Sequence, residues 1–546
     1  MDKKLNSTSS YLQDVTSRLA DIEARPLPSN LGELIDAAAA EGGDRIVWNF
    51  FEAGETETYE GMRQRVNHLA QRLEGIGIGK GSHVAVMLPN IPAFPLTWFA
   101  LAKIGAVMIP VNTGYREREL GYVLGDSEAA FIVLHRDHEA AFEGARAHHG
   151  VAIPDAAVIG LGGAGYGHDL EEMISGKAER FIPKDAPTSQ DLMNIQYTSG
   201  TTGFPKGCML THEYWMVAGI SNAFRDGQSY DRLLASTPFY YMDPQWLLLM
   251  TLLHRGTLFV ARKQSASRFV GWLREYDINF CLFPWIAYKQ PPRADDRLNS
   301  VVRANIYGVP KNLHALIEER FGIRAREAFG MTELGPAIFM PLEGDEMVGS
   351  GFCGIPGPFR RCRVVNGAGE DVPAGEPGEL LVSGRGIMQG YYRNPGATQA
   401  ALIDGWFHTG DLFVKDENGF YRIIGRQKDM VRRSGENIAA RELETVLNAF
   451  PGIDEAAIVP VPDEMRGEEV KACIVLSEGK SGATRLLDRI IAHCERELAA
   501  FKVPRFYEFR DALPRTGSSK VAKRKLQDES GDPRAGCFDR VTGKWV

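Results

Sequence analysis

At 546 residues, 44% hydrophobic and 24% charged, the chain has a soluble globular composition and is too long for one ordinary core, so two or more units are expected. A net charge of −8 excludes the basic stripe of a nucleic-acid binder. Seven dispersed cysteines without a Cys-x-x-Cys pair exclude a disulfide frame or zinc cluster and fit packed, reduced thiols in a cytoplasmic protein. The most apolar stretch, residues 84–111, is interrupted by Pro89, Pro92, Pro95 and Lys103 and reads as alternating elements rather than a membrane span. The polar start Met1-Asp2-Lys3-Lys4 lacks the apolar segment of a secretory signal.

Residues 1–30 read as a loose arm or one docked helix. Helical spacing over 58–73 is broken by Gly75, Gly77, Gly79 and Gly81, and 83–88 follows as a buried strand. A helix over 98–104 stops at Gly105, before a second strand at 107–111. This βαβ alternation predicts a parallel or mixed sheet. A strand at 192–195 precedes a helical pattern from about His212. Between 354 and 390, Gly, Pro and short alternating runs such as 379–383 predict a small antiparallel β unit. Beyond Asn437, a helix at 440–450 and a strand at 456–461 predict a small α+β domain. The predicted fold class is therefore α/β: a large N-terminal domain, residues 1–427, of α/β sheets with a β subdomain, and a small α+β C-terminal domain, 428–546.

The strongest motif is Tyr197-Thr198-Ser199-Gly200-Thr201-Thr202-Gly203-Phe204-Pro205-Lys206-Gly207, placed between a strand and a helix. Small hydroxyl residues and glycines can wrap a polyphosphate with N–H and O–H donors, and Lys206 adds positive charge. The spacing is not that of a Walker A loop. His212, just beyond it, reads as a packing or capping residue, and no Ser-His-Asp or metal-ligand spacing emerges elsewhere.

This segment resembles the phosphate loop of the adenylate-forming superfamily: acyl-CoA synthetases, firefly luciferase and peptide-synthetase adenylation domains. Four more blocks follow in that family's order. Phe329-Gly330-Met331-Thr332-Glu333 resembles its adenine and magnesium motif, and Thr409-Gly410-Asp411 its ribose motif. Gly425-Arg426-Gln427-Lys428-Asp429 with Gly435-Glu436-Asn437-Ile438 resembles its hinge and C-terminal loop, and Pro514-Arg515-Thr516-Gly517-Ser518-Ser519-Lys520 its terminal lysine motif. The blocks together cover about residues 45–526. Phe329 stands where the family often has Tyr, and Ser519 where it usually has Gly.

The resemblance implies an AMP-forming acid–thiol ligase that uses ATP, Mg²⁺ and coenzyme A. Attack of a carboxylate on the α-phosphorus of ATP brings two anions together, so cations must neutralise the developing charge. By resemblance Glu333 holds Mg²⁺, Thr332 bonds the α-phosphate and Lys520 bridges carboxylate and phosphate. Thr198, Ser199, Gly200, Thr201, Thr202 and Lys206 cradle the phosphates. Gly308, Val309 and Pro310 bind the cofactor, Phe329, Gly330 and Met331 belong to the adenine motif, and Asp411, assisted by Arg426, accepts the ribose hydroxyls. The small domain turns about Lys428, withdrawing Lys520 and bringing the loop with Gly435 and Glu436 in for thiol attack.

The hinge block favours the acyl-CoA ligase branch, with Arg432, Arg433 and Lys471 available to CoA phosphates. Pro238-Phe239-Tyr240-Tyr241-Met242-Asp243-Pro244-Gln245 and Ile306-Tyr307-Gly308-Val309-Pro310-Lys311-Asn312-Leu313 resemble crotonobetaine/carnitine–CoA ligases. Tyr307 replaces a glycine common in acyl-CoA synthetases and should shorten the acyl tunnel. Tyr241, Met242, Gln245, Trp246, Trp285 and Tyr307 would line a short pocket suited to a trimethylammonium, short-chain or aryl acid. A carrier-loading adenylation enzyme, a phosphoryl-transferring ATPase and an inactive nucleotide-binding regulator are the alternatives. The expected partners are a small carboxylic acid and CoA, with no nucleic acid and no membrane span; a homodimer is compatible with this reading.

Overall fold

The computed structural model describes residues 2–198, 205–307, 309, 311–426, 430–477, 479, 483–514, 521, 523–527 and 531–546. Among them four sheets form a mixed α/β architecture, three in the larger N-terminal part and one in a smaller C-terminal part.

The first sheet grows from the predicted βαβ unit. Thr58 caps the helix Tyr59–Gly75 by accepting from Gly61 N at 2.9 Å, and Gly105, at φ +80°, ends the helix Ala93–Ile104 in the left-handed conformation that glycine tolerates best. The strands His83–Met87 and Val107–Pro110 pair in parallel. Leu192–Thr198 and Lys206–Thr211 complete that side as an antiparallel hairpin. The second sheet is built around parallel strands from Arg232–Ala235 to Ala325–Met331, with antiparallel edges. The helices His212–Phe224 and Met242–His254 are buried nearly all round and join the sheets in one core, where the Trp98 and Trp215 rings lie 5.1 Å apart. The predicted β unit is the sheet Arg360–Val365, Pro377–Gly384, Trp406–Lys415, Leu402–Ile403 and Tyr421–Arg426.

The C-terminal sheet has its own core, drawn from Val431 to Phe509. Residues 531–546, for which the sequence offers no assignment, add the short strands Phe538–Asp539 and Lys544–Trp545 to its edge. Arg505 fastens them with two 3.1 Å bonds to the Asp539 carboxylate. At the other end of the chain the first residues form a docked helix, Asp2–Ala24. Tyr11 donates to Glu346 at 2.6 Å, Arg18 pairs with Glu343 at 3.0 Å, and Glu23 accepts from Phe359 N at 2.6 Å. Six of the seven cysteines are buried, Cys362 is half-buried, and all are free thiols. No helix among the described residues is long and apolar enough to cross a membrane.

Candidate active site

The hairpin Leu192–Thr198/Lys206–Thr211 brings together the two ends of the loop that resembles a phosphate loop, since Thr198 and Lys206 are cross-strand partners. The Lys206 ammonium lies 4.0 Å from the centroid of the Tyr391 ring. The Tyr391 hydroxyl donates to Glu333 Oε1 at 2.9 Å. One tyrosine therefore spaces the loop lysine from the carboxylate, and burial with Glu333 alongside drives its phenol well above the ordinary range. Tyr391 belongs to a segment laid against the hairpin: Met209 N donates to Gly390 O at 2.9 Å and Tyr392 N to Gly207 O at 2.8 Å.

Glu333 is 7% exposed and lies in the turn between the antiparallel strands Ala325–Met331 and Gly335–Phe339. That turn is held from below: the buried Tyr214 donates to Thr332 O at 2.9 Å, and Arg360 Nη2 donates to Leu334 O at 2.5 Å. Gly330 sits at a bulge where an added Cβ would come 2.7 Å from Gly335 O, too close for any side chain. Next to it the Phe329 ring meets Phe413 edge-on, with centroids 4.9 Å apart, and Met331 closes the strand. Asp411 is 1% exposed and faces Arg426 across paired strands. Thr409 Oγ1 accepts from Asp411 N at 3.1 Å and anchors itself on Leu380 O at 2.8 Å.

Sequence reasoning missed Glu327, two residues before Phe329. It is buried, accepts from the backbone N–H of Val309, and is pushed by desolvation up to about 8. A neutral Glu327 thus pins the buried Val309 beside the adenine motif. Tyr391 was missed too, although Gly390-Tyr391-Tyr392-Arg393-Asn394-Pro395 offered a signal: an aromatic pair between turn formers.

Of the residues expected to line the acyl pocket, Tyr241 precedes the helix Met242–His254, its ring 4.6 Å from that of Tyr240. Its hydroxyl accepts from Asn112 Nδ2 at 3.2 Å and donates to Glu436 Oε1 from the C-terminal part. Glu436 follows the turn Ser434-Gly435, whose φ angles of +53° and +87° suit the tight hairpin Met430–Arg433/Glu436–Ala439. Burial raises the Glu436 carboxyl, while Tyr241, Lys502 and Arg433 oppose the shift. Tyr307 is 45% exposed, and desolvation with the nearby Asp243 carboxylate pushes its phenol up to about 12. Met242 is partly buried against the main core.

Several expectations need correction. Gln245 is fully buried, donates to Phe239 O at 2.8 Å and accepts from Asn194 at 3.2 Å, so its amide is committed to the core. Trp246 is 6% exposed and packs on Phe280, presenting only Nε1 to Asp243 at 3.2 Å. Arg433 pairs with Glu469 at 2.6 Å and Lys471 with Glu508 at 2.7 Å, both buried, so neither offers its charge to a CoA phosphate. His212, by contrast, is the packing residue expected: it is buried, its Nδ1 accepts from Leu31 N at 3.2 Å, and burial lowers it to about 4. Ser199, Gly200, Thr201, Thr202, Gly308, Pro310, Lys428 and Lys520 lie outside the described residues, and Trp285 and Arg426 are described in backbone only.

The buried Glu333 turn and the buried Asp411 lie on a mixed α/β fold with a second, separately cored domain. The profile of the AMP-binding enzyme family matches residues 35–392, and that of the AMP-binding enzyme C-terminal domain matches 442–520. The crotonobetaine/carnitine–CoA ligase of Salmonella paratyphi A (strain ATCC 9150 / SARB42) is 32% identical over 521 residues, 91% of this chain and 99% of that protein. A double mutant of Bacillus subtilis o-succinylbenzoate CoA synthetase, bound to a product analogue, superimposes with a TM-score of 0.80 at 23% identity, covering 93% of this chain and all of that one. The same enzyme with its acyl-adenylate intermediate covers the same shares of the two chains at 23% identity, with a TM-score of 0.65. The chain belongs to the AMP-binding enzyme family, as an AMP-forming acyl-CoA synthetase, an acid–CoA ligase that uses ATP and CoA.

Proposed function

We propose that this ligase activates a short or compact acid, of the carnitine-like class, and that it does so with the motif residues in the roles their order implies. The observation that carries the substrate reading is the pair Tyr307 and Asp243 at the acyl end. A tyrosine at 307, where many acyl-CoA synthetases carry glycine, would shorten the space for a long tail. Asp243 accepts from Trp246 Nε1 at 3.2 Å, burial raises its carboxyl, and no ion pair to it is found among the described residues. Such a carboxylate, with Tyr241 and Tyr307 nearby, suits a trimethylammonium group, each cation–π contact contributing about 0.5–2 kcal/mol. The relatives named crotonobetaine/carnitine–CoA ligase support the same reading.

In the first half-reaction the acid's carboxylate oxygen attacks the α-phosphorus and pyrophosphate leaves. Lys206 and the hydroxyl loop hold the phosphates, Lys520 neutralises carboxylate and α-phosphate together, and Asp411 with Arg426 fixes the ribose. Mg²⁺ fits a site with one buried carboxylate, because this ion is commonly bound by one or two carboxylates plus substrate phosphates and water. Glu333 would hold it, and the ion would neutralise phosphate charge. In the second half-reaction the CoA sulfur attacks the acyl carbon and AMP leaves, with the Gly435–Glu436 turn seated beside Tyr241. The reading divides the chain at 427/428, with Lys428 as hinge, and places the enzyme in the cytoplasm.

The test is an acid panel with ATP, Mg²⁺ and CoA, reading AMP, pyrophosphate and acyl-CoA. Crotonobetaine, carnitine or a four- to eight-carbon acid should lead, about the size a pocket of ~300 Å³ encloses. A preference for palmitate contradicts the reading.

A further inference from the structure

A buried ionic cluster spans the boundary between the two parts. Lys502 Nζ lies 3.1 Å from Glu119 Oε1 of the N-terminal part and 2.8 Å from Glu442 Oε1 of its own part. The three side chains are only 4%, 7% and 7% exposed, and the ammonium sits 4.9 Å from the centroid of the Tyr115 ring. Charges so far from water are stable only when fully paired.

The geometry gives each member a distinct place. Glu119 is fixed in the N-terminal part, because its Oε2 accepts from Arg116 N at 3.3 Å and closes the first turn of the helix Glu117–Asp126. Glu442 lies in the first turn of the helix Ala440–Asn448, directly after the strand Glu436–Ala439. Arg433, on the partner strand of that hairpin, donates to Phe501 O at 3.2 Å, one residue before Lys502. The hairpin carrying Glu436 and the segment carrying Lys502 are therefore one rigid piece. Of the two Lys502 contacts, the one to Glu442 travels with the C-terminal part and only the one to Glu119 crosses the boundary. On separation Lys502 keeps a partner and Glu119 meets water, so the contact can form and break without stranding a charge.

We propose that the Lys502–Glu119 pair is a reversible latch that holds the C-terminal part with Glu436 against Tyr241, making Glu119 and Lys502 positioning residues for thioester formation and not for adenylation. This rests on the two-arrangement reading above. Glu119→Gln keeps the shape and the acceptor for Arg116 N and removes the charge. With crotonobetaine and butanoate as probe acids, pyrophosphate exchange should stay within about 2-fold of wild type, while conversion of the acyl-adenylate by CoA should fall at least about 10-fold, as for loss of one buried charge partner. In the unliganded protein, amide hydrogen exchange should rise in residues 112–122 and 498–503 and not in the rest of either core. Lys502→Arg should restore most of both readouts relative to Lys502→Met. Equal losses in the two half-reactions, or exchange at 112–122 and 498–503 no faster than in wild type, would overturn the latch. If neither probe acid is turned over by wild type, the substrate reading fails and the exchange pattern alone decides the latch.

Discussion

Lys206, Tyr391 and Glu333 are held by strands and turns of one continuous core, whereas Glu436 reaches Tyr241 from a domain with a core of its own. The group of Lys206, Tyr391 and Glu333 is set against one packed core. Glu436 and its domain meet the larger part through polar contacts that can be made and broken: a tyrosine–carboxylate hydrogen bond and a lysine shared between two glutamates. Two half-reactions at one place require that contrast, because the groups needed for one obstruct the other.

The contrast is broken most severely by removing the cation assigned only to adenylation. Lys520→Ala should lower adenylation by about 10²–10³, as losing one preorganised charge contact does. Within the fixed region, Tyr391→Phe removes one hydrogen bond to Glu333 and keeps the ring under Lys206. Adenylation should drop about 10-fold with thioester formation from preformed adenylate unchanged, measured as separate single turnovers. For the proposed acyl site, Tyr307→Gly should shift preference toward longer acids by about 10-fold per few methylenes, read as kcat/KM ratios across a chain-length series.

The smallest effect concerns stability. Glu327 is raised from 4.5 to about 8 by burial, so it is protonated in the fold where the unfolded chain would ionise it. Its contribution is fully present below pH 4.5 and is lost as pH rises through about 8. Glu327→Gln, neutral throughout, should gain on wild type across that window, by on the order of 1–3 °C in Tm, with no change in the difference below it. A difference that is flat from pH 4.5 to 8 would mean that Glu327 is ionised in the fold.

Much of the fixed region was legible in the sequence because its motifs are local. Phe329 to Glu333 lie on one strand and its turn, and Thr198 and Lys206 on one hairpin, so chain order announced spatial order. What escaped was nonlocal. Tyr391 meets Glu333 across 58 positions, and Lys502 meets Glu119 across 383. Arg433 and Lys471 looked available for CoA because their partners, Glu469 and Glu508, come from neighbouring strands whose register no periodicity reveals. Gln245 was read as a pocket residue for the same reason: its place on the helix was visible, but not that Asn194 waits on its buried face.

The most direct test supplies wild type, Lys520→Ala and Glu119→Gln with the preformed adenylate of the acid the panel selects, and follows acyl-CoA formation in a single turnover. Lys520→Ala should keep pace with wild type and Glu119→Gln should lag at least about 10-fold behind. A crippled Lys520→Ala beside an unimpaired Glu119→Gln would contradict the division of labour between the two parts of this enzyme.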